Sequence, residues 1–181
     1  MQTVLVVVAS LSPSVAAGQG DAAVHRIERD GLKLELAPLT REQARAFILG
    51  RGFDAADADF AFATGCIHRS AIGNAYGSAG GPEIRVLLTE WRVLAEGRDE
   101  SPPLVRADWD RIWQGRGLVG APAVAFHWAL FPAEQVFAPI DHNWGFITPG
   151  LPPGTRFSLD VSWRHDGQLH RHRIDGLECA S

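Results

Sequence analysis

Two Asp-Gly dipeptides, each set between segments of alternating apolar and polar residues, constrain the fold of this chain more than any other feature of its sequence. Asp-Gly tolerates the positive φ angles of a two-residue hairpin turn. The first, Asp30-Gly31, predicts a hairpin that places opposite charges face to face across the two strands. The predicted pairs are Arg26 with Glu35 and Glu28 with Lys33. Because the same register collects leucines on the other face, it satisfies both faces at once.

The second turn, Asp166-Gly167, predicts a hairpin close to the C-terminal end of the sequence. In its register Trp163 faces His170 and Val161 faces His172. Side chains alternate between the two faces of a strand, so these four residues share one face, which is the more apolar one. The other face pairs aspartate and serine side chains with arginines and is typical of a solvated surface.

Between the two hairpins the sequence predicts a helical pair over about residues 40–65. Thr40 and Gln43 have the spacing of a capping box, and Asp54 is placed to cap a second helix. Further along, residues 106–115 read as a short helix, whereas 122–131 are an almost unbroken apolar run that predicts a strand buried on both faces. Prolines make 132–155 a turn-rich segment.

Together these elements predict an α+β fold that is mostly antiparallel β and β-sandwich-like, with an early helical hairpin. Residues 18–181 are expected to form a single β-rich domain, with the helical insertion at about 40–65.

The first residues have the pattern of a secretory signal peptide, with predicted bounds 1–17. Val4–Ala9 is an apolar run, and Val15–Ala17 supplies the small residues of a cleavage site. The basic residue that usually precedes such a run is missing, and a misplaced start codon or a buried N-terminal strand would explain its absence. The segment is too short to be a membrane span, and no later stretch predicts one. We therefore expect a soluble periplasmic or secreted protein with no stable membrane span once the signal is removed.

The cysteine content agrees with export. The chain has two cysteines, Cys66 and Cys179, and in an oxidising compartment such a pair predicts a disulfide. Closing so long a loop stabilises a fold by roughly 4–5 kcal/mol in the chain-entropy model. The alternative, a redox or metal-binding pair, lacks the CxxC spacing.

The overall charge argues against two classes of partner. The formal net charge is −4, and no basic tract appears. Nucleic acids and anionic membranes attract proteins with a positive field, so no nucleic acid is expected among the partners.

A metal site is the first chemical hypothesis. Two histidines at i and i+2 of one strand, His170 and His172, can bind one metal ion, and imidazole suits Cu or Zn. A third ligand has to come from elsewhere in the chain, and the candidates are His142 or Asp141, His165, His127 and His68. Of these we predict His142. The alternative is structural: His170 packs against Trp163, and both histidines are hydrogen-bonded at the sheet edge.

The leading functional prediction is a non-enzymatic binding or accessory protein in the exported compartment. Tryptophan is favoured in binding sites, and rigid proline-rich loops hold a partner at low entropic cost. The predicted contact residues for a protein partner are Trp109, Trp113 and Trp144.

A hydrolase that uses His142 or His127 is a further alternative. No catalytic residue is assigned, because the sequence contains no G-x-S-x-G elbow and no recognisable nucleophile and base pair.

Overall fold

The computed structural model describes residues 23–77 and 80–181. The predicted signal peptide, 1–17, lies outside the described residues. Nine strands are described, and in chain order they are β1 (His25–Arg29), β2 (Leu32–Pro38), β3 (His68–Asn74), β4 (Ile84–Leu87), β5 (Arg92–Ala95), β6 (Glu134–Phe137), β7 (His142–Ile147), β8 (Arg156–His165) and β9 (Gln168–Glu178). The helices described are α1 (Arg41–Leu49), α2 (Ala55–Gly65), α3 (Arg106–Gly115) and α4 (Ala121–Ala129).

The strands form two antiparallel sheets. The first has the order β1-β2-β3-β7. In the second, the long strand β8 pairs with β9 along one edge and with β4 and then β5 along the other, and β6 extends the sheet beyond β4. Apolar side chains of both sheets meet in one buried cluster, so the predicted α+β, sandwich-like fold is confirmed.

Both hairpins have the register that the Asp-Gly turns predict. Arg26 pairs with Glu35 and Glu28 with Lys33 across the first. Gly31 has a φ of +80°, and a Cβ atom built on it would lie 2.2 Å from the ring of Tyr76, so glycine is required there by conformation and by space.

The early helical pair is confirmed together with its caps. The Thr40 side chain accepts a hydrogen bond from the Gln43 backbone, and the Gln43 side chain accepts one from the Thr40 backbone. Asp54 caps α2 through the backbone N–H of Asp57. Helices α1–α4 share a second apolar cluster, which contains both tryptophans of α3.

The predicted disulfide is present and joins the end of the helical pair to the C-terminal segment. Cys66 and Cys179 are 113 positions apart, with 5.0 Å between their Cα atoms. Both side chains are buried in the cluster between the sheets. The bond therefore ties the segment after β9 to the C-terminal end of α2.

One prediction for the second half of the chain is wrong. The apolar run 122–131 is not a buried strand: most of it lies in α4. Four alanines and a proline near the helix start favour a helix, and the shortage of polar residues hides the helical period. The proline-containing segment 132–155 also includes the strands β6 and β7.

Within residues 23–77 and 80–181, no helix combines the length and the apolar character needed to cross a bilayer.

Candidate functional site

The C-terminal hairpin places His170 beside Trp163, as predicted. The two residues pair across β8 and β9, and their rings stack at a centroid distance of 5.6 Å with 18° between their planes. The indole Nε1–H of Trp163 donates to the carbonyl oxygen of Asp30, at 3.0 Å, and the Nδ1 atom of His170 lies 3.7 Å from the Asp30 carboxylate. The apolar face of the hairpin therefore packs under the β1–β2 turn of the other sheet.

His172 takes part in the same contact between sheets. The Arg29 guanidinium lies 3.1 Å from the Nδ1 atom of His172. Since arginine only donates hydrogen bonds, the His172 nitrogen accepts, and its lone pair is occupied. A metal ion at this nitrogen would have to displace the guanidinium and tolerate its positive charge.

The structure does not bring His142 into a metal site with His170 and His172. His142 begins β7 in the first sheet, where it is paired with Gly73. Among residues 23–77 and 80–181 no three His, Cys, Asp or Glu side chains are grouped so that they could hold a metal ion. The three-histidine site for Cu or Zn is therefore not supported, and the packing of His170 on Trp163 is the arrangement found.

A fourth histidine, His68, is the most buried one. It begins β3, is 1% exposed and donates a hydrogen bond from Nδ1–H to the carbonyl oxygen of Cys66, at 2.9 Å. Because the backbone carbonyl has no proton to give, the ring nitrogen is the donor. Burial lowers the pKa of His68 to about 4, so the ring is neutral near pH 7. This histidine is part of the core beside the disulfide.

The predicted contact tryptophans do not share one environment. Trp109 and Trp113, at 0% and 1% exposed, stack on each other inside the helical cluster. Their burial leaves them too little exposed surface to be the anchoring contacts that the sequence predicts. Trp144 is 65% exposed on β7, and its role in binding stays a prediction.

The most exposed tryptophan is one that the sequence did not single out. Trp128 is 69% exposed on α4, whereas a strand buried on both faces would have enclosed it. The missed signal is the helical spacing of Val124 and Trp128, four residues apart, which places them on one face of a helix. That spacing is informative only once the segment is recognised as a helix.

Trp128 stands at the side of an open groove between α3 and α4 with a volume of about 380 Å³. Its walls come from one face of each helix and from the connection between the helices. The lining residues are Asp110, Trp113, Gln114, Leu118, Val119, Gly120, Ala123, Val124, His127 and Trp128. Most of them are apolar, and Val119 and Val124 are exposed to solvent.

One polar pair crosses this groove at the end away from the helix connection. The Nδ1 atom of His127 lies 3.0 and 3.1 Å from the two carboxylate oxygens of Asp110. The carboxylate accepts a hydrogen bond from Nδ1–H and so orients the imidazole ring. The Nε2 atom is then the ring nitrogen that remains for a second contact. The residues lie 17 positions apart on two helices, so the pairing depends on how α3 and α4 pack.

The orientation of Trp128 is also set by a neighbour. The guanidinium of Arg106 lies 5.0 Å from the centroid of the Trp128 ring. Arg106 is itself held by two hydrogen bonds that it donates to the carbonyl oxygen of Leu130, at 2.8 and 3.3 Å. A cation over the ring restricts the indole while leaving most of its surface in solvent.

The groove lacks a nucleophilic side chain of the usual kind, since none of its described lining residues is Ser, Thr or Cys. Cys66 and Cys179 are bonded to each other. For His142, the other predicted hydrolase residue, the described part of the chain provides no acid or nucleophile hydrogen-bonded to the imidazole; Asp141 bonds its backbone N–H instead. Of the two histidines, only His127 has an orienting carboxylate.

No protein-family model, no curated protein and no solved structure matches the chain. An assignment of function therefore has to rest on this geometry.

Proposed function

We propose that the chain is an exported binding or accessory protein that holds a protein partner in the groove between α3 and α4. The observation that carries the proposal is the set of exposed apolar side chains along this groove, Val119, Val124 and Trp128. Large apolar side chains gathered on one surface mark an interaction site, whereas single scattered ones do not. Export is supported by the leader pattern and by the Cys66–Cys179 disulfide.

The openness of the groove favours a protein over a small molecule. Small-molecule sites enclose most of the ligand surface. Here Val119 and Trp128 are mostly exposed, so a small ligand between them would keep much of its own surface in water. A partner that covers Val119, Val124 and Trp128 together would remove all three from water, and each fully buried side chain of this size contributes roughly 1.5–3 kcal/mol.

Site-specific cross-linking tests the proposal in the full chain. A photoreactive phenylalanine analogue at Val124, in cells of the source organism, is expected to give one discrete adduct with a protein of the exported compartment. The same analogue at Leu169, which is exposed on β9, is the matched control and should give none. Trp128→Ala should reduce the Val124 adduct at least tenfold, because it removes the largest exposed apolar side chain of the groove.

Two results would contradict the proposal. One is the absence of any adduct at Val124 while the protein is folded and exported. The other is an adduct of equal yield at Leu169, since that would indicate contact without a preferred surface.

Hydrolysis is a second candidate function, favoured by the contact between Asp110 and His127. A histidine oriented by a carboxylate supplies two of the three residues of a catalytic triad. Because no nucleophilic side chain lines the described groove, the histidine would have to act as a general base that activates water. A panel of chromogenic esters tests it. Turnover by the wild type that is lost in both His127→Gln and Asp110→Asn supports it, and no turnover by the wild type rules it out for that substrate class.

A further inference from the structure

The chain contains three Asp-Gly dipeptides. Two form the hairpin turns, Asp30-Gly31 and Asp166-Gly167, and the third, Asp175-Gly176, lies in β9. An aspartate followed by glycine is open to attack on its side-chain carboxyl group by the next backbone nitrogen, because glycine has no Cβ atom to hinder the approach. In a folded protein the attack also needs the backbone to leave its folded conformation, so the contacts that hold each dipeptide decide whether it reacts.

The first dipeptide is held on both of its carbonyl groups. The indole Nε1–H of Trp163 donates to the carbonyl oxygen of Asp30, at 3.0 Å, and the backbone N–H of Ala75 donates to that of Gly31, at 2.7 Å. The ring of Tyr76 fills the space beside Gly31. This turn therefore opens only if the contact between the two sheets opens with it.

The third dipeptide is held by its side chain and by the segment that follows it. The hydroxyl of Ser158 donates to the carboxylate of Asp175, at 2.7 Å, and so restrains the group that would be attacked. Three residues after Gly176, Cys179 is fixed by the disulfide, and its backbone N–H donates to the carbonyl oxygen of Thr155, at 2.9 Å. Local opening at this dipeptide would therefore have to disrupt a strand that the disulfide anchors.

Asp166-Gly167 is a turn of the same conformation without these restraints. The φ angle is +50° at Asp166 and +46° at Asp30, so backbone conformation does not separate the two turns. Within residues 23–77 and 80–181 the Asp166 carboxylate has no hydrogen-bond or ion-pair partner, and Arg164, two residues earlier, pairs with Glu90 instead. Both residues of the turn are exposed, and a Cβ atom built on Gly167 would meet no heavy atom within 4 Å. This turn can open without disturbing the sheets.

We propose that Asp166 is a site of isoaspartate formation, and that it reacts faster in the folded chain than the aspartates of the other two Asp-Gly dipeptides. The inference does not depend on the proposed partner binding. It rests on a comparison within one molecule, in which three dipeptides have the same chemistry and the structure restrains two of them.

The reaction needs no partner other than water. The backbone nitrogen of Gly167 attacks Cγ of the Asp166 carboxyl group, so that an N–Cγ bond forms and a Cγ–O bond breaks. The oxygen leaves as water with the carboxyl proton and the amide proton. Water then adds to one carbonyl carbon of the five-membered imide and breaks the bond from that carbon to nitrogen, which takes up a proton.

The position at which water adds determines the product. Addition at Cγ restores aspartate, whereas addition at the backbone carbonyl carbon leaves a main chain that runs through Cγ of Asp166. The main chain then gains one atom in a turn whose two-residue length sets the register of β8 and β9. The modification therefore acts on the end of the hairpin where His165 pairs with Gln168.

Isotope labelling of the full chain measures the reaction at each dipeptide. Each cycle of ring formation and hydrolysis introduces one oxygen atom from the solvent. Folded protein kept at 37 °C and pH 6 in ¹⁸O-water therefore gains 2 Da at each aspartate that has reacted. Reduction and tryptic digestion in ordinary water place the three dipeptides on separate peptides, 30–33, 165–171 and 174–181. Mass spectrometry of these peptides gives three rates from one sample.

We expect the rate for peptide 165–171 of the folded chain to exceed each of the other two rates at least fivefold. In the reduced chain in urea the restraining contacts are absent, and the three rates should agree to within about twofold. The unfolded chain thus separates the effect of structure from that of the flanking residues. Chromatography of peptide 165–171 against synthetic aspartyl and isoaspartyl standards identifies the product.

Substitutions assign the label to Asp166. Asp166→Glu would need a ring with one more carbon atom, which forms much more slowly, and Asp166→Ser has no carboxyl group, so peptide 165–171 should stay unlabelled in both variants. Asp175→Glu is the matched change at another dipeptide and should leave the rate for peptide 165–171 unchanged. A urea unfolding curve for each variant checks that the fold is intact.

Three results would overturn the inference. One is a folded chain in which peptide 30–33 or 174–181 is labelled as fast as peptide 165–171. Another is the absence of label in peptide 165–171 of the folded chain, whether or not the unfolded chain is labelled. The third is a label in peptide 165–171 that persists in Asp166→Glu and Asp166→Ser.

Discussion

The ring of His170 lies parallel to the indole of Trp163 to within 18°, under the β1–β2 turn. This stack predicts that an aromatic side chain at position 170 preserves stability, whatever its ability to bind metal. We expect the free energy of unfolding of His170→Phe to lie within about 0.5 kcal/mol of the wild-type value. His170→Ala should lose about 1–2 kcal/mol, because it removes the stacked ring and leaves a gap. Urea unfolding followed by tryptophan fluorescence measures both. Equal losses in the two variants would indicate that the nitrogen atoms of His170, and not the stack, stabilise the hairpin.

Burial of His68 predicts a loss of stability in mild acid. Its pKa is about 4 in the folded chain, compared with an ordinary value of 6.5. Between these values the unfolded chain binds a proton that the folded chain does not. The contribution of this histidine is therefore complete above pH 6.5 and is lost as the pH falls towards 4. The difference corresponds to about 3 kcal/mol at most.

The measurement is the free energy of unfolding at a series of pH values from 7 to 4. His68→Gln should flatten the slope in this window, whereas His142→Gln, which replaces an exposed histidine, should leave it unchanged. A slope that is identical in the wild type and in His68→Gln would show that other groups cause the acid sensitivity.

Trp113 and Trp128 differ in burial, so we expect their alanine substitutions to lower the stability by very different amounts. Trp113 is buried among aromatic rings of the helical cluster, so Trp113→Ala should cost about 3–5 kcal/mol. Trp128→Ala should cost about 1 kcal/mol or less, because the side chain is mostly in water and contributes chiefly its contact with Arg106. Thermal unfolding measured by circular dichroism compares the variants. A large loss in Trp128→Ala would mean that this residue supports the fold and is not free to serve a partner.

Because of the disulfide, we expect the oxidised protein to be much more stable than the reduced protein. The double variant Cys66→Ala/Cys179→Ala should lose about 2–5 kcal/mol of stability. Since both sulfurs are buried, reductant should act slowly on the folded wild type and rapidly in urea. Alkylation followed by mass spectrometry measures the rate of reduction. Fast alkylation of the folded protein would contradict a buried, structural bond.

Backbone strain at Ile140 predicts a stabilising substitution. Ile140 has a φ of +64°, which is unfavourable for a β-branched residue, and its side chain is largely exposed. Ile140→Gly should raise the free energy of unfolding by about 1 kcal/mol, and Ile140→Ala by less, because alanine keeps part of the steric conflict. Urea unfolding compares both variants with the wild type. A loss of stability in Ile140→Gly would show that the side chain makes contacts worth more than the strain.

Local chemistry explains why some of the fold was predictable. A positive φ at each residue of an Asp-Gly turn sets the hairpin register, and the register of β8 and β9 then places His170 opposite Trp163. Thr40 and Asp54 each accept a hydrogen bond from the backbone N–H three residues later, so these helix caps can also be predicted without tertiary structure. With no other cysteine in the chain, Cys66 and Cys179 had one partner each.

Features that depend on tertiary packing were not predicted, or were predicted wrongly, from the sequence. Residues 122–131 are too uniformly apolar to show a period, and only their packing against α3 separates a buried strand from a helix with one exposed face. That difference determines whether Trp128 is enclosed or exposed and whether His127 can meet Asp110. The hairpin registers, the helix caps and the disulfide could be predicted from the sequence, because short-range geometry or the lack of another cysteine specifies them. The groove, the exposure of Trp128 and the contact between His127 and Asp110 depend on tertiary structure, because they exist only where α3 and α4 pack against each other.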